Sequence, residues 1–186
     1  MIIKNNIAVR LEEKDVFNKT LVIPKGVIHI ESKFFWNFRS VEKIIISEGV
    51  TSIGDYFAWR CPSIKEIVIP DTVMHIGKDF GRGCINLKKL FIPKSVKQIG
   101  EYFCYDCKSL EEIIVPENVK HIGYNFCCYC DSLKKVIIPK NVKQIDDYFC
   151  YDCQSLEEMT IPEKFVDSLS FDFVFRNRSL KKLKIY

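Results

Sequence analysis

The sequence predicts an α/β solenoid built from about seven stacked units of 23 residues. One position of every unit is proline or, once, serine: Pro24, Ser47, Pro70, Pro93, Pro116, Pro139 and Pro162. Apolar residues recur at fixed distances after this position. A unit of this length cannot bury an apolar face alone, so neighbouring units must complete one another's core. We number positions from the marker as 0 and call each unit a rung, so that rung 1 begins at Pro24 and rung 7 at Pro162.

Three columns of identical residues predict the interior of the solenoid. Position +3 is valine from Val27 to Val142, and position +6 is isoleucine from Ile30 to Ile145. Position +10 is phenylalanine in rungs 1 to 6. Because the same side chain returns at the same place in each rung, each column forms a continuous apolar stack.

The end of each rung predicts a short strand, and repetition stacks these strands into a parallel sheet on one face. Positions +17, +20 and +22 are aliphatic apart from Met159, as in Leu110, Ile113 and Val115. Side chains alternate along a strand, so Ile113 and Val115 are expected to point inward and Ile114 outward. Glycine at +7 predicts a turn with positive φ, and the FxxxC stretch from +10 to +14 predicts a short helical turn on the opposite face.

The whole chain, residues 1–186, is expected to form one domain. Residues 1–20, with Ile7 and Leu11 among their apolar positions, are predicted to cap the first rung, and residues 21–186 to form about seven repeats. The seventh repeat fits only if one residue is inserted near Val166, which returns Leu169 and Phe173 to their columns.

The segment LEEIIVPENVKHIGYNFCCYCDSL, from Leu110 to Leu133, resembles the BspA-like leucine-rich repeats, whose units read roughly LxxIxIPxxVxxIGxxAFxxCxxL. The similarity extends from Leu21 to the C-terminus, although the small-then-aromatic pair is reversed here, as in Phe103-Cys104. The resemblance implies a right-handed leucine-rich-repeat superhelix. It also implies a family of binding and surface-attachment modules, often secreted, that share no catalytic residues.

Composition excludes several classes of function. A net charge of +4, from 28 basic and 24 acidic residues, is too weak to indicate nucleic acid as a partner or an anionic membrane surface. No apolar run has the length of a signal peptide or of a membrane span, so we expect no membrane insertion and a cytoplasmic location. The alternative is a cell-surface location, if the chain is a fragment of a longer protein.

Nine cysteines form the strongest candidate metal motif. Cys104 with Cys107, Cys127 with Cys130, and Cys150 with Cys153 make three CxxC pairs at a spacing typical of zinc ribbons. However, Cys61 and Cys84 occupy the same +14 column without a partner cysteine, which favours small, weakly polar core residues. We therefore expect free thiols and no cofactor, with a cysteine-rich metal or redox protein as a further hypothesis.

The outward columns of the predicted strand form the candidate binding site. Position +21 is an apolar stripe, and position +19 alternates lysine and glutamate from rung to rung. The predicted partner-binding residues are Ile45, Val68, Phe91, Ile114 and Ile137 as anchors, with Glu66, Lys89, Glu112 and Lys135 at the rim. Two structural explanations remain open: β-branched residues suit strands, and alternating charges fix the strand register.

No serine, cysteine or carboxylate is arranged with His29, His75 or His121 as a nucleophile and its base, so we do not expect an enzyme. The sequence instead predicts a scaffold whose sheet face binds an unidentified protein or a second copy of the chain. The alternative is a cell-surface adhesin module that binds a host protein or glycan.

Overall fold

The chain is a β-solenoid of about seven rungs, in which each of rungs 1 to 6 contributes one strand to each of two parallel sheets. The computed structural model describes residues 1–167 and 177–186. Its strands are, in chain order, β1 (Ile2–Lys4), β2 (Ile7–Arg10), β3 (Val16–Phe17), β4 (Thr20–Ile23), β5 (His29–Ile30), β6 (Lys43–Ile46), β7 (Ser52–Ile53), β8 (Glu66–Val68), β9 (His75–Ile76), β10 (Lys89–Leu90), β11 (Gln98–Ile99), β12 (Glu112–Ile114), β13 (His121–Ile122), β14 (Lys135–Ile137), β15 (Gln144–Ile145), β16 (Glu158–Ile161) and β17 (Lys182–Ile185).

The front sheet is built from the predicted strands at +19 to +22. It is hydrogen-bonded in two blocks, β3-β4-β6-β8-β10 and β12-β14-β16-β17, and all its pairs are parallel except β3 with β4. Partners lie 23 residues apart, as in Ile44 and Ile67, until β17, where Glu158 pairs with Lys182. This shift agrees with the one-residue insertion in the seventh repeat, whose Leu169 and Phe173 lie outside the described residues.

A second sheet, which the sequence did not predict, follows positions +5 and +6. This side sheet is hydrogen-bonded in two blocks, β1-β2-β5-β7-β9-β11 and β13-β15, with β1 and β2 at its N-terminal edge. The N-terminal segment thus extends both sheets. Ala8 and Leu11 are buried against the first rung, whereas Ile3 and Val9 point outward. The division into a cap of residues 1–20 and repeats stays a prediction.

The predicted alternation of the front strands is confirmed. Ile113 and Val115 are buried, and Ile114 is 46% exposed. The valine, isoleucine and phenylalanine columns are also interior in almost every rung. The rings of Phe57, Phe80, Phe103 and Phe126 stack with centroids 5.2 to 5.3 Å apart, close to the spacing of neighbouring strands.

The segment from +8 to +15, which we call the turn segment, is not helical, so the prediction of short helical turns is wrong. Residues at +9 and +13 adopt positive φ, as Tyr56 (57°) and Arg60 (53°) do. The N–H groups of Tyr56, Ala58 and Arg60 donate to carbonyls of the next rung at 2.7 to 2.8 Å. A helix would use such donors within its own segment, which explains why stacking excludes it. The helices of residues 1–167 and 177–186 are two short 3-10 helices, Glu13–Asp15 and Glu163–Phe165.

The glycines at +7 serve a different purpose from the one predicted. Gly54, Gly77 and Gly100 do not have positive φ. A Cβ at Gly100 would lie 2.4 Å from the backbone nitrogen of Lys78 in the preceding rung. Glycine is therefore required by the close approach of two backbones rather than by a left-handed conformation.

This close approach predicts a position-dependent cost for adding one methyl group. Gly100→Ala should lower the free energy of unfolding by about 2 to 3 kcal/mol, because two backbones must separate. Gly123→Ala is the matched control, since the nearest atom to its Cβ would lie at 3.2 Å. Urea unfolding monitored by circular dichroism should show a smaller loss for the control. Equal losses would contradict the close-approach explanation.

Candidate interaction surfaces

The +21 side chains form an apolar stripe on the open side of the front sheet. Phe91 is 71% exposed, and its neighbours Ile114 and Val68 are 46% and 38% exposed. Ile45 and Ile137 are half-buried, and Val22, which precedes Ile45 in the same column, is 48% exposed. Phe91 directly follows β10, at the point where the ladder of the front sheet is interrupted. Phe91 is thus the largest side chain of the +21 stripe and lies near its centre.

The +19 charges pair from rung to rung as the sequence predicts. Salt bridges join Lys43 to Glu66 at 2.9 Å, Glu112 to Lys135 at 3.2 Å, and Glu158 to Lys182 at 3.3 Å. Lys89 lies in register with Glu66 but has no carboxylate oxygen within 4 Å in the part of the chain that is described. Exposed pairs of this kind contribute little stability, so their main effect is to fix the register and neutralise the face.

A second row of charges, at +18, borders the front sheet. Glu42 accepts hydrogen bonds from Lys19 and Lys65, both at 2.7 Å. These two ammonium groups lower the pKa of Glu42 to about 2. Glu157 and Lys181 form a pair at 3.3 Å in the last two rungs. The charges at the edge of this face are therefore also matched in several rungs.

The cysteine columns are interior, and the +14 thiols have a hydrogen-bonding role that sequence analysis missed. All nine cysteines are free and buried. Each +14 thiol donates to the +11 carbonyl of the preceding rung, as Cys84 does to Ala58 at 3.0 Å and Cys107 to Gly81 at 3.1 Å. In rung 7 the buried Asn177 replaces cysteine, and its Nδ2 donates to the carbonyl of Cys150 at 3.1 Å. Asparagine, another hydrogen-bond donor, at the +14 position of rung 7 is the feature of the sequence that could have revealed this hydrogen-bonding role.

The environment of Cys61, Cys84 and Cys128 opposes ionisation of their thiols. Burial raises the pKa of Cys61 and of Cys128 to about 12, and that of Cys84 well above its ordinary value. Within residues 1–167 and 177–186, no three His, Cys, Asp or Glu side chains are placed to hold a metal ion. The histidines lie apart, in β5, β9 and β13 of the side sheet. His29 Nδ1 contacts Ser52 Oγ, and His121 Nε2 contacts Asp146 Oδ2, both at 2.7 Å.

The outer side of the turn segments forms an aromatic surface, which we call the turn face. Trp36 packs on Trp59 with ring centroids 4.6 Å apart, and Tyr105, Tyr129 and Tyr151 form a chain of edge contacts at 5.3 and 5.8 Å. Surface depressions flank these rings. Because tryptophan and tyrosine are enriched at interfaces, this face is a second candidate surface.

Comparison of the repeats with models of known protein families shows which family the chain belongs to. The family model described as "BspA type leucine rich repeat region" matches six copies, over residues 14–130 and 79–186. The chain belongs to the BspA-type leucine-rich repeat family. A comparison with curated proteins found no match.

Solved structures share the solenoid fold of this chain at low sequence identity. A leucine-rich repeat protein of T. pallidum has a TM-score of 0.67 and 21% identity, over 96% of this chain and 73% of that one. One from Bacteroides ovatus has a TM-score of 0.58 and 18% identity, over 96% and 71%. The pneumococcal vaccine antigen PcpA has a TM-score of 0.64 and 19% identity, over 91% and 42%. At these identities the similarity shows the fold.

The described residues of this BspA-type solenoid contain no helix of the length and apolarity needed to cross a bilayer.

The thiol geometry predicts how the +14 column responds to substitution. Cys107→Ala should lower the free energy of unfolding by about 1 to 2 kcal/mol, because packing and one hydrogen bond are lost. Cys107→Asp should cost far more, since it buries an unpaired charge. Chemical unfolding of both variants measures the difference. Equal, small losses would place this column outside the core.

Proposed function

We propose that this chain is a non-catalytic scaffold whose front sheet binds another protein. The anchors are Ile45, Val68, Phe91, Ile114 and Ile137, and the rim consists of Glu66, Lys89, Glu112 and Lys135. The observation that carries the proposal is the exposed stripe centred on Phe91, which is 71% exposed on an otherwise regular sheet. Large apolar patches rimmed by polar residues typically mark contact sites.

The arrangement of the stripe suits a protein partner. Its side chains lie on successive rungs about 4.8 Å apart, so a partner can contact several of them at once. Removing about 300 Å² of this surface from water would contribute roughly 7 kcal/mol before the cost of association is subtracted. The surplus supports a modest affinity, with Phe91 as the central anchor.

The rim supports selectivity more than affinity. Lys43 and Glu66 are already paired at 2.9 Å, as are Glu112 and Lys135 at 3.2 Å, so a partner need not neutralise them. Lys89 is the rim charge nearest to Phe91, the central anchor of the stripe. Its ammonium group is available to a carboxylate of the partner. Charges at the edge of an interface mainly affect association rate and partner choice.

The absence of catalysis is part of this proposal. It is supported by the burial of all nine thiols and by His29 and His121, which each contact a neighbouring polar side chain. The polar groups of the front face include the surface ion pairs Lys43–Glu66, Glu112–Lys135 and Glu158–Lys182.

A cell-surface adhesin module is the second candidate. The observation in its favour is the shared fold with PcpA, which is a pneumococcal vaccine antigen. A module of this kind would bind a host protein or glycan. Binding of the purified chain to a glycan array, unchanged by substitutions on the apolar stripe, would favour this candidate over the first.

Substitution of the central anchors tests the front-sheet proposal. Phe91→Lys combined with Ile114→Lys should leave the circular dichroism spectrum and the melting temperature nearly unchanged, because both side chains are exposed. The same variant should weaken partner capture at least about 30-fold, as expected when two interface anchors are lost. Affinity purification with quantitative mass spectrometry identifies partners, and biolayer interferometry measures the loss.

Thr160→Lys provides the matched control, because this residue occupies the same column beyond the stripe. It should retain every partner of the unmodified chain. If the double variant folds and also retains every partner, the contact surface is not the front sheet. Unfolding of the double variant would show that the two side chains support the core.

A further inference from the structure

The turn face carries its charges in two separate halves, unlike the front sheet. Exposed or half-exposed cations occupy rungs 1 to 3: Lys33, Arg39, Arg60, Lys78 and Arg82. Exposed or half-exposed carboxylates occupy rungs 4 to 6: Glu101, Asp106, Asp131, Asp147 and Asp152. Over rungs 1 to 6, the turn face is therefore basic in its N-terminal half and acidic in its C-terminal half.

The charges of opposite sign within each half are engaged inside the chain. In the basic half, Asp79 is buried and pairs with Arg82 at 3.0 Å. Asp55 accepts a hydrogen bond from the backbone N–H of Lys78 at 3.0 Å. In the acidic half, Lys108 lies between Asp106 and Asp131 at 3.8 and 3.9 Å. Neither half is neutralised, because each keeps an excess of one sign.

Two cations of the basic half, Lys33 and Arg60, lie against aromatic rings rather than against carboxylates. Lys33 Nζ lies 5.0 Å from the ring of Trp36, and the Arg60 guanidinium lies 4.3 Å from the ring of Trp59. Neither cation has a carboxylate oxygen within 4 Å among the residues whose positions are described. Stacking on a ring orders the cation but leaves its charge available to a partner.

Aromatic side chains extend across both halves of the turn face. They are Trp36, Tyr56, Trp59, Tyr102, Tyr105, Tyr124, Tyr129, Tyr148 and Tyr151. The Arg82 guanidinium lies near the middle of the face, 4.9 Å from the ring of Tyr102 and 4.7 Å from that of Tyr105. Tyrosine, tryptophan and arginine are the residues most enriched at the centres of protein interfaces.

We propose that the turn face binds a second copy of this chain in an antiparallel, two-fold dimer. A two-fold axis between rungs 3 and 4 brings rung 1 opposite rung 6, rung 2 opposite rung 5, and rung 3 opposite rung 4. Every apposition then joins opposite charges, such as Arg60 with Asp131 of the second copy. A closed two-fold interface needs such a self-complementary surface.

The same pattern argues against other arrangements and partners. Parallel apposition would place the basic half opposite the basic half and the acidic half opposite the acidic half, which is costly. A uniformly acidic partner would match only the basic half, and a uniformly basic partner only the acidic half. A second copy matches both halves along the roughly 24 Å that separates rung 1 from rung 6.

Sedimentation velocity with charge-reversal variants tests the dimer. At about 100 µM and about 25 mM salt, the chain should sediment at twice its monomer mass of 21.8 kDa and dissociate as salt is raised. Lys33→Glu with Arg39→Glu should weaken self-association at least about 100-fold, because like charges then face each other. Asp147→Lys with Asp152→Lys should do the same.

Combining all four substitutions should restore the dimer, since the charges at the two ends are then exchanged. Lys97→Glu with Lys143→Glu is the control, because it reverses two exposed charges on another face and should leave the dimer intact. A monomer at low salt, or failure of the combined variant to recover, would overturn the proposal. Loss of the dimer in the Phe91→Lys, Ile114→Lys variant would instead assign self-association to the front sheet, which distinguishes this proposal from the front-sheet one.

Discussion

The hydrogen bonds that join the turn segments of successive rungs are the constraint on which the other features depend. In rung 4 the N–H groups of Tyr102, Cys104 and Asp106 donate to Tyr124, Phe126 and Cys128 of rung 5 at 2.8 to 2.9 Å. The thiol of Cys130 donates back to the carbonyl of Cys104 at 3.1 Å. These bonds fix the segment at one length, so every column of side chains stays aligned along the solenoid. They also offset the cost of positive φ at residues such as Tyr102 and Tyr129.

Alignment of the columns gives the two surfaces different electrostatic properties. On the front sheet, lysine and glutamate alternate along one column and pair, as Lys43 and Glu66 do at 2.9 Å. On the turn face the signs are separated into two halves, so they cannot neutralise one another over short distances. The front sheet therefore suits a partner that binds an apolar stripe, and the turn face suits a partner with the reverse order of charge.

Sequence patterns predicted the features that depend on periodicity alone. The inward Ile113 and Val115, the outward Ile114 and the Lys43–Glu66 pair all follow from a period of two within a strand and of one rung between strands. The side sheet was missed because a strand of two residues, such as His29–Ile30, shows no alternation. The prediction of a helical turn was wrong because the spacing of Phe103 and Cys107 fits a helix equally well. Only the stacked structure shows that the backbone N–H groups of this segment donate to the next rung.

Other features depend on contacts that one rung does not reveal. Gly100 is required by the backbone of Lys78 in the preceding rung, and Cys107 donates to Gly81 in that rung. The residues that separate the charges of the turn face can be read from the sequence. It becomes visible only when positions +8 to +15 are known to share one surface.

Amide hydrogen exchange of the turn segments tests the central claim most directly. The amides of Tyr102, Cys104 and Asp106 should exchange within about tenfold of the rates of the front-strand amides of Ile113 and Val136. The exposed amide of Lys94 should exchange much faster and serves as the internal reference. Exchange of the three turn amides as fast as that of Lys94 would show that no hydrogen bonds join the turn segments, and would contradict the account of how the columns are aligned.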